Sequence, residues 1–434
     1  MRNILYVHTH DTGRYIQPYG YGVPTPNLMT LAETGTLFRQ AYNAAPTCSP
    51  SRAALLTGMA PHSCGMIGLA HRGFSLNDYS KHLANFLGDK GFETVLCGVQ
   101  HEAANAEDIG YDRILPTSGK NAIEVDLSGA AAVAEYLKSP HEKPFFLSFG
   151  MQNTHRPFPE IDPDVNPDYV QPPLPLPDTK EVREDMAAFI TSAKVVDRCV
   201  GIVMEALEQS GLKDETLVIF TTDHGIAFPK MKCNLYDTGT GVALIFNYPN
   251  NPAKGKAIDS LVSHIDVFPT ICDMFNHEKP EWLQGNSMVP LFTGEKEEIR
   301  KELFTEVTYH AAYEPMRAIR TKRYKLIKLF DDHDRYVPAN IDDSLSKSLL
   351  VDNGLMELAR DKEMLFDLYH DPLERVNLVD DPRYEAVYKD LSQRLRDWME
   401  QTEDPLLQGH RVPKPEGAMV NTRTTLSPNS GEWE

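Results

Sequence analysis

No stretch of the 434-residue chain approaches the ~20 consecutive apolar residues that a helix needs to cross a bilayer. Positive charge is scarce: 43 Lys and Arg stand against 62 Asp and Glu, a formal net charge of −19. Nucleic acid and anionic membrane surfaces are repelled at long range by such a balance, so neither is expected as a partner. Cysteine is sparse and unpatterned. Cys48, Cys64, Cys97, Cys199, Cys233 and Cys272 are widely scattered and form no CxxC pair, which favours free thiols in a reducing compartment. The opening residues MRNILYVHTH carry no charged leader, long apolar core or small-residue cleavage site, so a cytoplasmic location is expected. No internal repeat is visible.

What remains is an ordinary globular composition, 41% hydrophobic and 24% charged. Apolar runs predict buried strands at Asn3–His8, Glu93–Cys97, Phe145–Phe149, Leu217–Thr222 and Val242–Phe246. Helical patterns lie between them at Ser80–Lys90, Gly129–Lys138, Asp185–Gln209 and Ser263–Phe275. This alternation implies an α/β fold, a mostly parallel sheet covered by helices on both faces, with its ligand site beyond the carboxyl ends of the strands. The proline-rich stretch Arg156–Asp178 is expected as an extended surface loop beside that site. After residue 298 the pattern turns β-rich (LFTEV, MRAIRTKRYKLIKLF, MLFDLY) and ends in a helix over Pro382–Glu403. A large domain over residues 1–298 and a smaller α+β subdomain over 299–434 are therefore expected, with a polar tail after Pro405 that wraps the surface or frays.

One cysteine stands in a chemically suggestive string. Cys48-Ser49-Pro50-Ser51-Arg52 precedes Ala-Ala-Leu-Leu-Thr-Gly, with Ser49 suited to a helix N-cap, Pro50 to the first helical position and Gly58 to the far end. Cys48 then sits just before a helix N-terminus, where backbone N–H groups attract an anion and Arg52 can add a charge-assisted contact. Asp11 follows the first strand and Asp223-His224 the Leu217–Thr222 strand, so all three converge on one sheet edge as ligands of a cation would. Taken singly, each residue has a plainer reading: a structural cysteine, a surface arginine, an acidic strand-end cap.

The whole string changes the balance, because C-x-P-S-R followed by LLTG resembles the signature of type I sulfatases, in which the cysteine is converted to formylglycine. NILYV with THDTG, TLVIFTTDHG and LFDLYHDPLERVNL extend the resemblance over nearly the whole chain. It is most similar to the sulfamidase (heparan N-sulfatase) group, through Pro61-His62 to Leu69, Phe228-Pro229 to Tyr236, Pro315-Met316-Arg317 and the DPxExxNLxxDPRY run from Asp371. The resemblance implies an alkaline-phosphatase-like fold and hydrolysis of a sulfuric ester or sulfamate on a small anion such as a sulfated sugar. It implies formylglycine at Cys48, made by a separate maturation enzyme, and one divalent metal, calcium in the family, held by Asp11, Asp223, His224 and His10. Arg52 would orient the aldehyde hydrate, His155 protonate the leaving group, Lys232 contact the sulfate and His101 assist release. His310 and Arg317 would contact the rest of the substrate.

Two departures stand out. His10-Asp11 and Asp223-His224 occur where the family commonly has Asp-Asp and Asp-Asn, which opens the site to manganese, zinc or magnesium. Val99 replaces the lysine of the G-K-x-H motif that ends in His101. A phosphonate monoester or phosphodiester hydrolase of the same superfamily is the rival enzyme, and a binding protein that has lost turnover is the other alternative. Cys48 alone is expected to carry an aldehyde or its hydrate after co-expression with a formylglycine-generating enzyme, as read by mass analysis of its peptide. Cys48→Ala should stay folded and lose turnover.

Overall fold

The computed structural model describes residues 1–434. Its main sheet is built from β1 (Asn3–Thr9), β2 (Thr36–Tyr42), β3 (Glu93–Gly98), β4 (Arg113–Leu115), β5 (Phe145–Gly150), β6 (Thr216–Thr222), β7 (Leu244–Asn247) and β8 (Lys256–Ser263). The spatial order is β4-β3-β5-β1-β6-β7-β2-β8. Only β7 runs antiparallel to its neighbours. Alternation along the strands divides the core. Leu5 and Val7 of β1 face one side, where they cluster with Val133 and Val196 of helices Ala122–Lys138 and Lys180–Gln209. Ile4 and Tyr6 face the other, where Leu55, Leu83 and Phe268 come from helices Cys48–Thr57, Leu83–Asp89 and Val267–Met274.

Each apolar run expected to be a strand is one, and the differences from expectation have local causes. β2 and β8 escape the apolar pattern because Arg39, Gln40, Lys256 and Asp259 interrupt them; β8 is an edge strand with an exposed first half, where charge discourages further pairing. The helix ending at Lys138 begins at Ala122, well before its apolar periodicity, because the Asn121 side chain accepts from the Glu124 N–H and caps it. The largest correction concerns the cysteine string. Thr47, not Ser49, is the N-cap, and Cys48 is itself the first helical residue. Pro50 then lies within the first turn, where its missing N–H costs nothing because those donors have no intrahelical partner. Gly58 closes the helix at φ 68, in the left-handed region expected of that glycine.

A second, antiparallel sheet, β12-β11-β10-β9, is formed by β9 (Glu302–Tyr309), β10 (Tyr313–Thr321), β11 (Tyr324–Leu329) and β12 (Glu363–Asp367). Helix Glu385–Gln401 lies on it, and its Leu391, Leu395 and Met399 share one core with Ala53, Met59 and Met66 of the first part of the chain. The tail wraps rather than frays: Val412, Ala418 and Val420 are buried, and the Asn421 N–H donates to the Ala311 carbonyl.

Arg317, expected at the substrate, lies instead inside this junction. It is fully buried on β10, with Nε donating to Asp404 Oδ2 at 2.5 Å and Nη2 to Asp404 Oδ1 at 3.1 Å, while Glu306 lies 3.6 Å away. Its planar fork joins the sheet to the chain that follows the last helix, so its chemistry is structural. Replacing Arg317 with leucine should cost about 3–5 kcal/mol, since two carboxylates would remain buried without their cation. Urea denaturation reads this loss, and one below ~1 kcal/mol would contradict the structural role.

Candidate active site

Four neighbouring parallel strands, β3, β5, β1 and β6, deliver the site at their carboxyl ends. His10 and Asp11 follow β1, Asp223 and His224 follow β6, His155 follows β5 and His101 follows β3. Asp11 and His101 have φ of 50° and 74°, a strained region for residues with a Cβ. Asp11 is held there by its own N–H, which donates to Asp223 Oδ1 at 2.8 Å.

The helix that starts at Cys48 is fastened to this edge by the residues of its own motif. Ser51 Oγ donates to the Asp223 carbonyl at 2.6 Å, and Ser49 Oγ accepts the Ala70 N–H at 3.0 Å. Arg52 Nη2 donates to the Thr9 carbonyl at 2.8 Å and to Asp223 Oδ2 at 3.1 Å, and its Nη1 donates to His8 Nδ1. An arginine only donates, so His8 is neutral with its proton on Nε2, facing Ser148 Oγ at 3.1 Å. Arg52 thus works from beneath, fixing Asp223 and the end of β1.

The donor set fits a divalent cation. His10 Nδ1 lies 3.3 Å from Asp223 Oδ2, and His224 Nε2 lies 3.1 Å from Asp11 Oδ1, 3.6 Å from Asp223 Oδ2 and 3.3 Å from Cys48 Sγ. His224 Nδ1 can only donate to the Gly225 carbonyl, 2.9 Å away, which leaves the Nε2 lone pair facing the carboxylates. His10 Nδ1 is buried without a hydrogen-bond partner. Asp11 and Asp223 are both buried, and each keeps its charge beside a protein cation, Lys232 and Arg52. The Cys48 thiol is a poor nucleophile as it stands, because burial pushes its pKa well up against the opposing pull of Lys232.

Cys48 opens onto a cavity of about 430 Å³ that Lys232, His101, His155 and His310 also line. Lys232 Nζ lies 2.9 Å from Asp11 Oδ2 and 2.9 Å from Asp342 Oδ2. Burial opposes its charge, but these carboxylates more than offset that and hold it cationic. His155 Nδ1 donates to the Arg156 carbonyl at 2.5 Å, so Nε2 is its free ring atom. Burial lowers His101 to about 3 and His310 well below the usual range, so both are neutral. The structure therefore gathers Cys48, His101, His155, Lys232 and His310 around one pocket, sets Asp11, Asp223, His224 and His10 beneath it, and leaves Arg317 out.

The sulfatase family pattern matches residues 2–277, and the pattern described as N-sulphoglucosamine sulphohydrolase, C-terminal, matches 225–344. The chain belongs to the sulfatase family. It is 30% identical to human N-sulphoglucosamine sulphohydrolase over 93% of this chain and 91% of that one. An ulvan-active sulfatase of Formosa agariphila is 26% identical over 92% of this chain and 74% of its own length. Among solved structures, a 2-O GAG sulfatase aligns with TM-score 0.74 at 21% identity, covering 100% of this chain and 99% of that one. A structure described as in complex with its substrate, D-glucosamine-2-N,6-O-disulfate, aligns with TM-score 0.73 at 18% identity over 93% of this chain and 98% of its own. Membership in the sulfatase family implies a metal and a formylglycine, which the donor set and Cys48 accommodate.

Sequence reasoning missed several residues that shape the site. Asp342, Asp343 and Asn429 reach the pocket from the C-terminal part of the chain and His71 from the Ala70–Arg72 turn. None carries a motif; only their company in space marks them. Glu102, beside His101, is fully buried, and desolvation lifts it to about 8 against the pull of Arg52. Its folded pKa thus exceeds its unfolded value, so the fold keeps a proton that the unfolded chain releases, and stability is lost as pH rises from about 4.5 to 8. Glu102→Gln should therefore gain stability over the parent progressively across that window and level off above it, as read by denaturation midpoints at a series of pH values.

Proposed function

We propose that this protein hydrolyses a sulfamate or sulfate ester of a small sugar, using a formylglycine derived from Cys48 and one divalent metal, after activation by a formylglycine-generating enzyme. One observation carries the reading. Cys48 stands at the first position of a buried helix, against His10, Asp11 and Asp223, with His224 Nε2 3.1 Å from Asp11, and opens onto a pocket that also holds a cationic lysine and a histidine with a free ring nitrogen. The likeness to human N-sulphoglucosamine sulphohydrolase supports a sulfated amino sugar as the substrate class.

A formylglycine formed from Cys48 would supply the nucleophilic hydroxyl and a second hydroxyl for release of sulfate, and a cation held by Asp11, Asp223, His10 and His224 would supply Lewis acidity. The chain's own groups do the rest. Lys232 Nζ offers a fixed positive charge beside Cys48, aimed at charge that develops on the sulfuryl oxygens. With Nδ1–H committed to the Arg156 carbonyl, His155 would hand over a proton from Nε2 as an imidazolium, to the departing oxygen or nitrogen. His101, held neutral by burial and with Nδ1 unpartnered, offers a lone pair that can accept a hydrogen bond from a hydroxyl at position 48. The helix N-terminus adds N–H donors to the same point.

Two imidazoles and two carboxylates form a softer set than the all-oxygen cage calcium favours, so manganese or zinc is the proposed metal. Elemental analysis of the active protein should find one such ion per chain, and calcium in its place would overturn this part of the reading. The imidazoles also raise the phosphorus-ester alternative. Comparing kcat/KM for matched sulfamate, sulfate ester and phosphodiester substrates on one matured preparation decides between them. Sulfuryl transfer should dominate. A phosphodiester preferred by more than ~100-fold, about 2.7 kcal/mol in barrier, would sink the sulfatase reading.

A further inference from the structure

The pocket lining includes two adjacent carboxylates, Asp342 and Asp343, and they differ in what they have left to offer. Asp343 is committed. Its Oδ1 is 2.8 Å from Lys347 Nζ and its Oδ2 accepts the Ser427 hydroxyl, so both oxygens serve to hold the chain together. Asp342 is not. Oδ2 faces Lys232 Nζ at 2.9 Å, whereas no hydrogen bond of the protein reaches Oδ1 and the side chain keeps 17% of its surface open. Burial alone would raise its pKa, but Lys232 and the neighbouring imidazoles hold it low, so this carboxylate stays charged.

Its place relative to the reacting centre follows from the lysine between them. Lys232 Nζ touches Asp11 Oδ2 on one side and Asp342 Oδ2 on the other, each at 2.9 Å, and Asp11 Oδ1 lies 3.9 Å from Cys48 Sγ. Cys48, Lys232 and Asp342 line one cavity, so a sulfuryl group over Cys48 and beside Lys232 leaves the rest of the ligand in the space that Asp342 borders. The free carboxylate oxygen can only accept hydrogen bonds. His310, neutral and with Nδ1 unpartnered, lines the same cavity, as do Arg72, held by the Ala311 and Pro428 carbonyls and Asn421 Oδ1, and Arg156, taken up by Asp185.

We propose that Asp342 is a specificity-determining residue: its free oxygen accepts hydrogen bonds from hydroxyl or ammonium groups on the carbon skeleton of the leaving group and turns away a leaving group that places a carboxylate there. The assignment rests on the reading of the pocket as a sulfated-sugar site and selects, within that class, neutral or amino sugars over uronates. An apolar skeleton leaves the outer oxygen of this half-buried carboxylate without a donor and an anionic one adds repulsion, a mismatch that discriminates between ligands.

The test is binding to the metal-loaded Cys48→Ala protein, which separates recognition from turnover. Calorimetric titration with N-sulfoglucosamine, a hexuronate 2-O-sulfate and 4-nitrophenyl sulfate should rank the amino sugar first and the uronate last. Asp342→Asn and Asp342→Ser, checked for parental thermal stability, should each reduce the preference for amino sugar over aryl sulfate by about 10-fold or more and narrow the gap between amino sugar and uronate. Equal weakening of all three ligands would mean that Asp342 acts only through Lys232 and would overturn the assignment. So would unchanged preferences, or failure of the Cys48→Ala protein to bind any of the three. Turnover by the matured wild-type protein is a separate readout: selective binding of the amino sugar without hydrolysis would refute the sulfatase reading and leave the role of Asp342 standing.

Discussion

The contact between Arg52 and Asp223 is the constraint on which the site depends. Both side chains are buried, 3.1 Å apart, and each is useful only because the other is present. Without Arg52, Asp223 would be a charge without compensation at the end of β6; without Asp223, the arginine would be a buried cation held only by a carbonyl and an imidazole. The pair also fixes geometry. Arg52 belongs to the helix that begins at Cys48, Asp223 to the sheet, and the Thr9 carbonyl that Arg52 also bonds ends β1. Helix and two strands are thereby locked to a common point, and Cys48 can stand in only one place relative to the donor set.

Once that lock is in place, electrostatics decides the character of the pocket. The chain as a whole is strongly acidic, yet an anion must be held here. At the site, Asp11, Asp223 and Asp342 stand against Arg52 and Lys232, while His8, His101 and His310 are kept neutral by burial. Arg72 and Arg156 also line the pocket, Arg156 paired with Asp185, so the protein's own charges there come close to balance and a divalent cation would make the pocket net positive. The imidazoles of His10 and His224, which add donors without adding charge, would suit such a cation and leave its charge available to the anion.

Much of this was legible in the sequence because it is local. The strands that deliver the site are continuous apolar runs bounded by polar residues, and buried parallel strands leave that signature plainly. The C-x-P-S-R string carries its own contacts, since Ser49, Ser51 and Arg52 each fasten the helix. Where the reading slipped, a competing contact was responsible. Ser49 has the chemistry of an N-cap, but its hydroxyl is engaged by Ala70, and the helix starts before it. Arg317 sits in a string typical of the sulfamidase group, yet its fork is claimed by Asp404, which follows the last long helix and which no spacing rule connects to it.

The sequence by itself determined the α/β class and the placing of Cys48, Asp11 and Asp223-His224 around one sheet edge, because periodicity, helix-start chemistry and strand-end placement act over a few residues. Tertiary structure alone decided which charges face each other. Lys232 meets Asp342, Glu102 loses its water, and the tail brings Pro428 and Asn429 to the mouth of the cavity. Burial and pairing are properties of what surrounds a residue. In a sheet whose neighbouring strands β1, β5 and β6 are separated by long stretches of chain, those surroundings arrive from far away in sequence and exist only once the chain has closed upon itself.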